Sequence, residues 1–287
     1  MNKFFCFLLS LIILSSSVLG YEIKDDRGLG VIYDNPPKRL VSLLPSITET
    51  LCELGQCMSL VGVDDYSNYP AQIKSVKHVG SALAPNLELI LSLKPDLVFM
   101  STNPSLSRRL EQLGVKVFVV NTVKHDDVHH LFEKLDLIFK MNEGQRVWQS
   151  MNKTIDQAAN SLPKSVDQMR IYFEVSTGPY AAGESSFIGE TLSRLGVKNI
   201  VPKSLGEFPK LNPEFVVKQN PDLIIVSDNR ISDLTQRPGW SQMSAIRNQQ
   251  VCSLTPEQSD IVVRPGPRMG EGAQIIAQCI LSKRRNP

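Results

Sequence analysis

The 287-residue sequence predicts an α/β protein made of two similar lobes joined by one long rigid helix. Three observations lead there. Residues 86–100, NLELILSLKPDLVFM, match residues 212–226, NPEFVVKQNPDLIIV, with Asn, Glu, Pro, Asp and Leu at identical offsets 126 positions apart. A second match in the same order sets ITETLCELG at 47–55 against IGETLSRLG at 188–196. Between the paired matches lies a helical stretch with no Gly/Ser linker. Ordered recurrence of this kind marks duplicated structural units.

Residues 1–20, MNKFFCFLLSLIILSSSVLG, carry Lys3 as their only charge, an apolar run from Phe4 to Leu14 and a small-residue end. That is the layout of a secretory signal peptide, with cleavage expected after Gly20. The apolar run is too short for a bilayer-spanning helix, which needs about 20 residues. No Cys stands at the cleavage point to carry a lipid anchor.

In the mature chain, Leu40–Leu44 predicts a strand, Ser46–Leu54 a helix and the residues near Ser59–Val63 a second strand. In each repeated segment an Asn, Asn86 or Asn212, supplies the N-cap of a short helix, and Pro213 suits a first helical position. Pro95 and Pro221 end those helices, and the apolar runs Leu97–Met100 and Leu223–Val226 read as buried parallel strands. Pro104–Leu113 and Val115–Val120 continue the alternation of helix and strand. Asp126–Lys140 is an amphipathic helix with Val128, Leu131, Phe132, Leu135 and Ile138 on one face. Asn142-Glu-Gly-Gln145 resembles a capping box opening a further helix, Glu143–Leu162, which Pro163 stops. The expected organisation is a Rossmann-like lobe at 21–141, a connecting helix at 142–163 and a second Rossmann-like lobe at 164–287. A stiff connector favours small movements over wide hinge closure.

Hydrophobic residues make up 42% of the chain and charged residues 21%, which excludes disorder and fibrous repeats. With 31 basic against 29 acidic residues and no basic stripe, a nucleic-acid partner is not expected. No nucleophile elbow, P-loop, dinucleotide fingerprint or H-E-x-x-H motif occurs, so no catalytic residue is assigned. His125 and His129 lie four apart on a helix, but with Asp126, Asp127 and His130 beside them they read as a solvated polar face rather than a metal site. The C-terminal lobe contains no His, which counts against metal-ion capture between lobes. Asn152-Lys153-Thr154 matches a glycosylation sequon but falls inside the predicted helix. Cys52, Cys57, Cys252 and Cys279 would meet an oxidising compartment. Four cysteines allow three pairings; Cys52 with Cys57 and Cys252 with Cys279 is preferred because each bridge stays within one half, while the other two remain open.

The segments PPKRLVSLLPSITETLCELG, VGVDDYSNYP, HVGSALAPNLELILSLKPDLV, PGWSQMSAIRNQQV and SDIVVRPGPRMGEG, covering roughly residues 36–282, carry a resemblance. Together they are similar to the substrate-binding proteins of metal-chelate ABC importers, and within that family most to the cobalamin binders. The resemblance implies the class III periplasmic binding protein fold, a monomer in the periplasm, and cobalamin held between the lobes for delivery to an inner-membrane permease. It also implies site residues. Glu88 and Glu214, one per lobe, correspond to acidic residues that dock onto arginines of the permease. Pro45 and Ser46, at the end of the first strand, and Tyr66 line the first lobe's side of the cleft. Tyr180, Phe208, Asp260 and Arg264 line the second, with Arg264 suited to hydrogen-bond amide or carboxylate groups on a ligand's rim. Aromatic faces suit a planar macrocycle. Two positions that carry tryptophan in the best-known cobalamin binder are Ala82 and Ser101 here, which leaves another corrinoid, haem or a ferric siderophore as alternative ligands. An enzyme or chelatase on a similar fold is the remote alternative.

Overall fold

A computed structural model describes residues 20–176, 178–227 and 231–284; the expected leader at 1–20 lies outside the described residues except for Gly20. The chain enters through an antiparallel hairpin of β1 (Tyr21–Lys24) and β2 (Gly30–Tyr33). The first lobe is a five-stranded, all-parallel sheet of β3 (Leu40–Ser42), β4 (Leu60–Val63), β5 (Lys77–His78), β8 (Leu97–Ser101) and β9 (Val117–Val120), in the order β5-β4-β3-β8-β9. A small hairpin, β6 (Gly80–Ser81) and β7 (Ala84–Pro85), stands apart from it. Helices α1 (Pro45–Glu53), α2 (Leu87–Ser92) and α3 (Pro104–Gln112) make the crossovers, and α4 (His125–Phe139) and α5 (Gly144–Asn160) follow β9.

The second lobe centres on β10 (Arg170–Ser176). One edge of β10 is shared by β11 (Tyr180–Ala181), antiparallel, and β12 (Lys198–Asn199), parallel; the other pairs β13 (Leu223–Val226), which pairs β14 (Val251–Ser253). Its helices are α6 (Phe187–Arg194), α7 (Pro213–Gln219), α8 (Ile231–Gln236), α9 (Ser244–Arg247), α10 (Pro256–Val263) and α11 (Met269–Arg284).

The duplicated segments do equivalent structural work. Asn86 Oδ1 accepts the Leu89 N–H at 2.9 Å and Asn212 Oδ1 accepts the Glu214 N–H at 2.9 Å, so each caps its helix. Lys94 and Asn220 then take left-handed backbone angles, φ 47° and 42°, and Pro95 and Pro221 prevent the helix from resuming. The repeated Asp anchors the first strand of its lobe. Asp96 accepts the backbone N–H groups of Lys38 and Arg39 at 2.8 and 2.9 Å, and Asp222 accepts that of Arg170 at 2.8 Å.

The connecting helix is α5, and its start differs from the expected capping box. Asp136, on the preceding helix, accepts the N–H groups of Glu143 and Gly144 at 3.0 and 2.9 Å, and no side chain on α5's own N-cap residue does so. Gly144 is required there, because a Cβ would lie 2.9 Å from the Phe132 carbonyl oxygen. Val147, Met151, Ile155 and Ala158 form the buried stripe of α5, in a core continuous with both lobes. With α4 and α11 packed along it, α5 is the middle of a helical layer rather than an isolated strut. Both preferred disulfides form: Cys52–Cys57 closes the end of α1, and Cys252–Cys279 ties β14 to α11. Among the described residues no helix is long and apolar enough to cross a membrane.

Candidate functional site

In open α/β sheets ligands collect beyond the carboxyl ends of the strands, where the strand order reverses. In the first lobe that reversal falls between β3 and β8, and in the second between β10 and β13. Two other segments leaving the first sheet touch the second lobe. Segments after β4 contact the α10–α11 region, and Val123, after β9, accepts the Phe187 N–H at 2.6 Å.

Pro45 and Ser46 stand at the first reversal, but they open α1 rather than end the strand, which stops at Ser42. Proline has no N–H to leave unpaired and suits the first helical position. Ser46 is buried and Pro45 half-buried.

The loop after β4 is built by Asp64. Its carboxylate accepts the Tyr66 N–H at 3.1 Å and the Ser67 hydroxyl, and burial raises its pKa while the Ser67 hydrogen bond opposes that rise. The turn leaves the Tyr66 side chain 66% exposed. From the other lobe Arg264 closes on this loop. Its Nη1 donates to Glu49 Oε1 at 2.7 Å and to Asn68 Oδ1 at 2.8 Å, and its Nη2 to the Tyr66 carbonyl at 3.1 Å. Asp260 pairs with Arg264 at 2.8 Å and accepts from Asn68 Nδ2 at 2.7 Å. Two aligned bonds from Arg268, 2.6 and 2.8 Å, also reach Glu49, while its guanidinium lies 4.1 Å from the Tyr69 ring centre. Arg264 is thus a buried cation engaged by protein acceptors, as a desolvated charge must be. Its donors brace the Tyr66 loop, a different employment from a free donor at a ligand's rim.

Tyr180 and Phe208 come together on a second ladder. Tyr180 bridges Lys210, and the Ala181 and Gly183 N–H groups donate to Pro209 and Glu207 at 3.0 and 2.7 Å. Both rings remain accessible, 42% and 37%, and Phe208 leans on Phe187 with ring centres 5.9 Å apart. Exposed aromatics in loops at strand ends are available for apolar contact with a ligand. Ala82 sits at the turn of the β6–β7 hairpin and Ser101 ends β8, both half-buried and neither adding a ring. Trp148 lies on α5, stacked on His129 at 4.5 Å, and Trp240 is fully buried.

Glu88 and Glu214 occupy the same place in α2 and α7, the second residue after the Asn cap, and both are exposed. Neither carboxylate has an ion-pair partner among the described residues.

His125 corrects the solvated-face reading. It is 7% exposed, and its Nε2 lies 3.0 Å from the Phe187 carbonyl and 2.9 Å from Thr191 Oγ1, both in the other lobe. Burial drives its pKa down to about 4, so it is neutral at pH 7. The sequon residue Asn152 is also engaged, accepting from Arg194 at 2.6 Å. Among the described residues no group of three or more His, Cys, Asp or Glu is arranged to hold a metal.

Glu49 and Asn68 carry no site role in the sequence reading, and Arg268 enters only within the SDIVVRPGPRMGEG segment of the resemblance. The signal for Glu49 was present in the second repeat, where Glu-Thr-Leu recurs at the same offset in both lobes. Arg268 and Asn68 had no such marker, because their partners lie about 200 residues away.

Comparison with known proteins agrees with this architecture. The chain is 30% identical over 280 residues, 92% of its length and 87% of the relative's, to an uncharacterized ABC transporter substrate-binding lipoprotein of Bacillus subtilis. It is 28% identical over 239 residues, 81% of its length and 85% of the relative's, to a vitamin B12-binding protein of Vibrio cholerae. The crystal structure of the periplasmic vitamin B12 binding protein of Vibrio cholerae superposes with a TM-score of 0.71 at 24% identity, covering 87% of this chain and 99% of that one. The periplasmic binding protein family model matches residues 40–258, which span both sheets and α5, and the chain belongs to that family.

Proposed function

We propose that the chain captures cobalamin in the cleft between its lobes and delivers it to the permease of an ABC importer. Family membership supports substrate binding for such an importer, and the chain carries out no chemistry on its cargo in this reading. The observation that carries the ligand assignment is the presence of three accessible aromatic rings, one in the first lobe and two in the second. Tyr66, Tyr180 and Phe208 present accessible rings, while Arg264 and Asp260 hold the Tyr66–Asn68 loop in place. Accessible aromatic rings suit the burial of apolar area against a planar macrocycle. The 28% identity to a vitamin B12-binding protein supports the same ligand.

Pro45 and Ser46 contribute the floor of the cleft beside the β3–β8 reversal. Glu88 and Glu214 are the docking pair: two exposed carboxylates fixed in equivalent first turns, one per lobe, orient the protein on a basic permease surface by charge complementarity. The leader at 1–20 directs the chain through the cytoplasmic membrane, and the mature protein acts as a monomer in the periplasm.

Ala82 and Ser101 favour a second reading, in which a different chelate, namely another corrinoid, haem or a ferric siderophore, fills a cleft with fewer rings. Competition separates the two. Cyanocobalamin retained in the presence of excess haem and ferric siderophore supports the first reading; displacement by either one, or no cobalamin binding, supports the second.

A further inference from the structure

The duplicated helix has equivalent carboxylates in α1 and α6: Glu49 of ITETLCELG aligns with Glu190 of IGETLSRLG. The local structure around them is repeated as well. Thr50 Oγ1 donates to the Ser46 carbonyl at 2.7 Å, and Thr191 Oγ1 donates to the Phe187 carbonyl at 2.8 Å, so the two helices share one internal register.

Each carboxylate crosses to the other lobe. Glu49 accepts three bonds from Arg264 and Arg268, which bound the short segment between α10 and α11. Glu190 accepts the N–H of His125, the first residue of α4, at 2.7 Å. Helices α4 and α11 are themselves counterparts, since α4 follows the last strand of the first lobe, α11 follows the last strand of the second after α10, and both pack along α5. Each Glu therefore grips the approach to the opposite lobe's α5-packing helix.

The two grips differ in chemistry. The Glu49 side chain is 1% exposed, and its charge is balanced by two guanidinium groups that are themselves nearly buried, with Tyr69 covering one of them. Glu190 is half-buried and meets a helix N-terminus, where backbone N–H groups and the helix dipole favour a negative charge. The neighbouring backbone bond from Phe187 to Val123 supports the second contact.

We propose that Glu49 and Glu190 are a matched pair of cross-lobe latches, created by the duplication, that hold the lobes at one angle, with Glu49 also positioning Arg264 against the Tyr66–Asn68 loop. Charged groups withdrawn from water keep a contact in register only when fully paired, so the geometry tolerates little sliding. The inference concerns lobe geometry and does not depend on which ligand the cleft takes.

The test is measurement of amide residual dipolar couplings on the ligand-free protein, for the parent chain and for Glu49→Gln, Glu190→Ala and the double variant. Couplings from the two sheets of the parent should fit one common alignment tensor. In the double variant they should require two, with the apparent order of one lobe reduced by about a fifth or more, and each single variant should show a smaller change. The Glu190→Ala arm replaces a half-buried helical side chain by a good helix former, so it reports even where the double variant fails to fold. Two independent tensors in the parent, or a common tensor kept in folded Glu190→Ala and Glu49→Gln alike, would overturn the proposal.

Discussion

His125 lies where α6 docks on the N-terminus of α4, so protonating it places a positive charge in a buried contact between the lobes. Burial is the largest influence on it, and the Phe187 carbonyl only partly offsets that influence. Arg194 acts in the same direction as burial, and Asp126 opposes it. A folded-state pKa of about 4, against 6.5 for the unfolded chain, means that the unfolded chain binds the proton more readily. The stability that the neutral ring contributes is therefore complete above about pH 6.5 and is lost as the pH falls through about 4. At about 1.4 kcal/mol per pKa unit, that difference corresponds to about 3 kcal/mol. Urea unfolding of the parent and of His125→Gln, which keeps an N–H donor, should be followed from pH 7 to pH 4. Comparing the two proteins at each pH removes the contribution of carboxylates that titrate in both. The variant is expected to be the less stable at pH 7 and the more stable near pH 4, so the curves cross. A difference that stays constant with pH would refute the reasoning.

Truncating Tyr66, Tyr180 or Phe208 to Ala should weaken ligand binding by about 1–2 kcal/mol each, or about 5- to 30-fold, as read by titration calorimetry; thermal unfolding should show an unchanged midpoint for Tyr66→Ala, whose ring is the most exposed, and a lowered one for Phe208→Ala, which loses its packing on Phe187. Glu88→Lys combined with Glu214→Lys should abolish ligand uptake by cells while leaving affinity intact, and unchanged uptake would remove the docking role. Replacing Cys252 and Cys279 by Ser should cost about 3.5 kcal/mol from the closed 27-residue span, against about 2 kcal/mol for Cys52 and Cys57 with a separation of 5, as read by denaturant unfolding.

The fold was legible because its signals are local. Asn caps, the Pro stops and the apolar strand runs each act within a few residues, and duplication displays them twice. Both cysteine pairs follow from the same lobe-by-lobe organisation. The boundary that differed, the start of α5, depends on Asp136 reaching over from the neighbouring helix, a contact set by how α4 turns back on α5. At the candidate site, the exposure of Tyr66 is a local matter, because it follows from the turn that Asp64 makes two residues earlier. The network of Glu49, Asn68, Arg264 and Arg268 was not legible, because it exists only once residues about 200 positions apart are folded together. His125 misled for the same reason: its own helix is polar around it, and its burial comes from the other lobe.

Calorimetric titration of the protein with cyanocobalamin, followed by haem and a ferric siderophore panel, tests the central claim most directly. The account predicts saturable binding of cobalamin at about one per chain, weakened by Tyr66→Ala and by Arg264→Ala, the latter through the loop it braces. Absence of cobalamin binding together with a clear isotherm for haem or a siderophore would contradict the ligand assignment, and binding that ignores both substitutions would contradict the cleft.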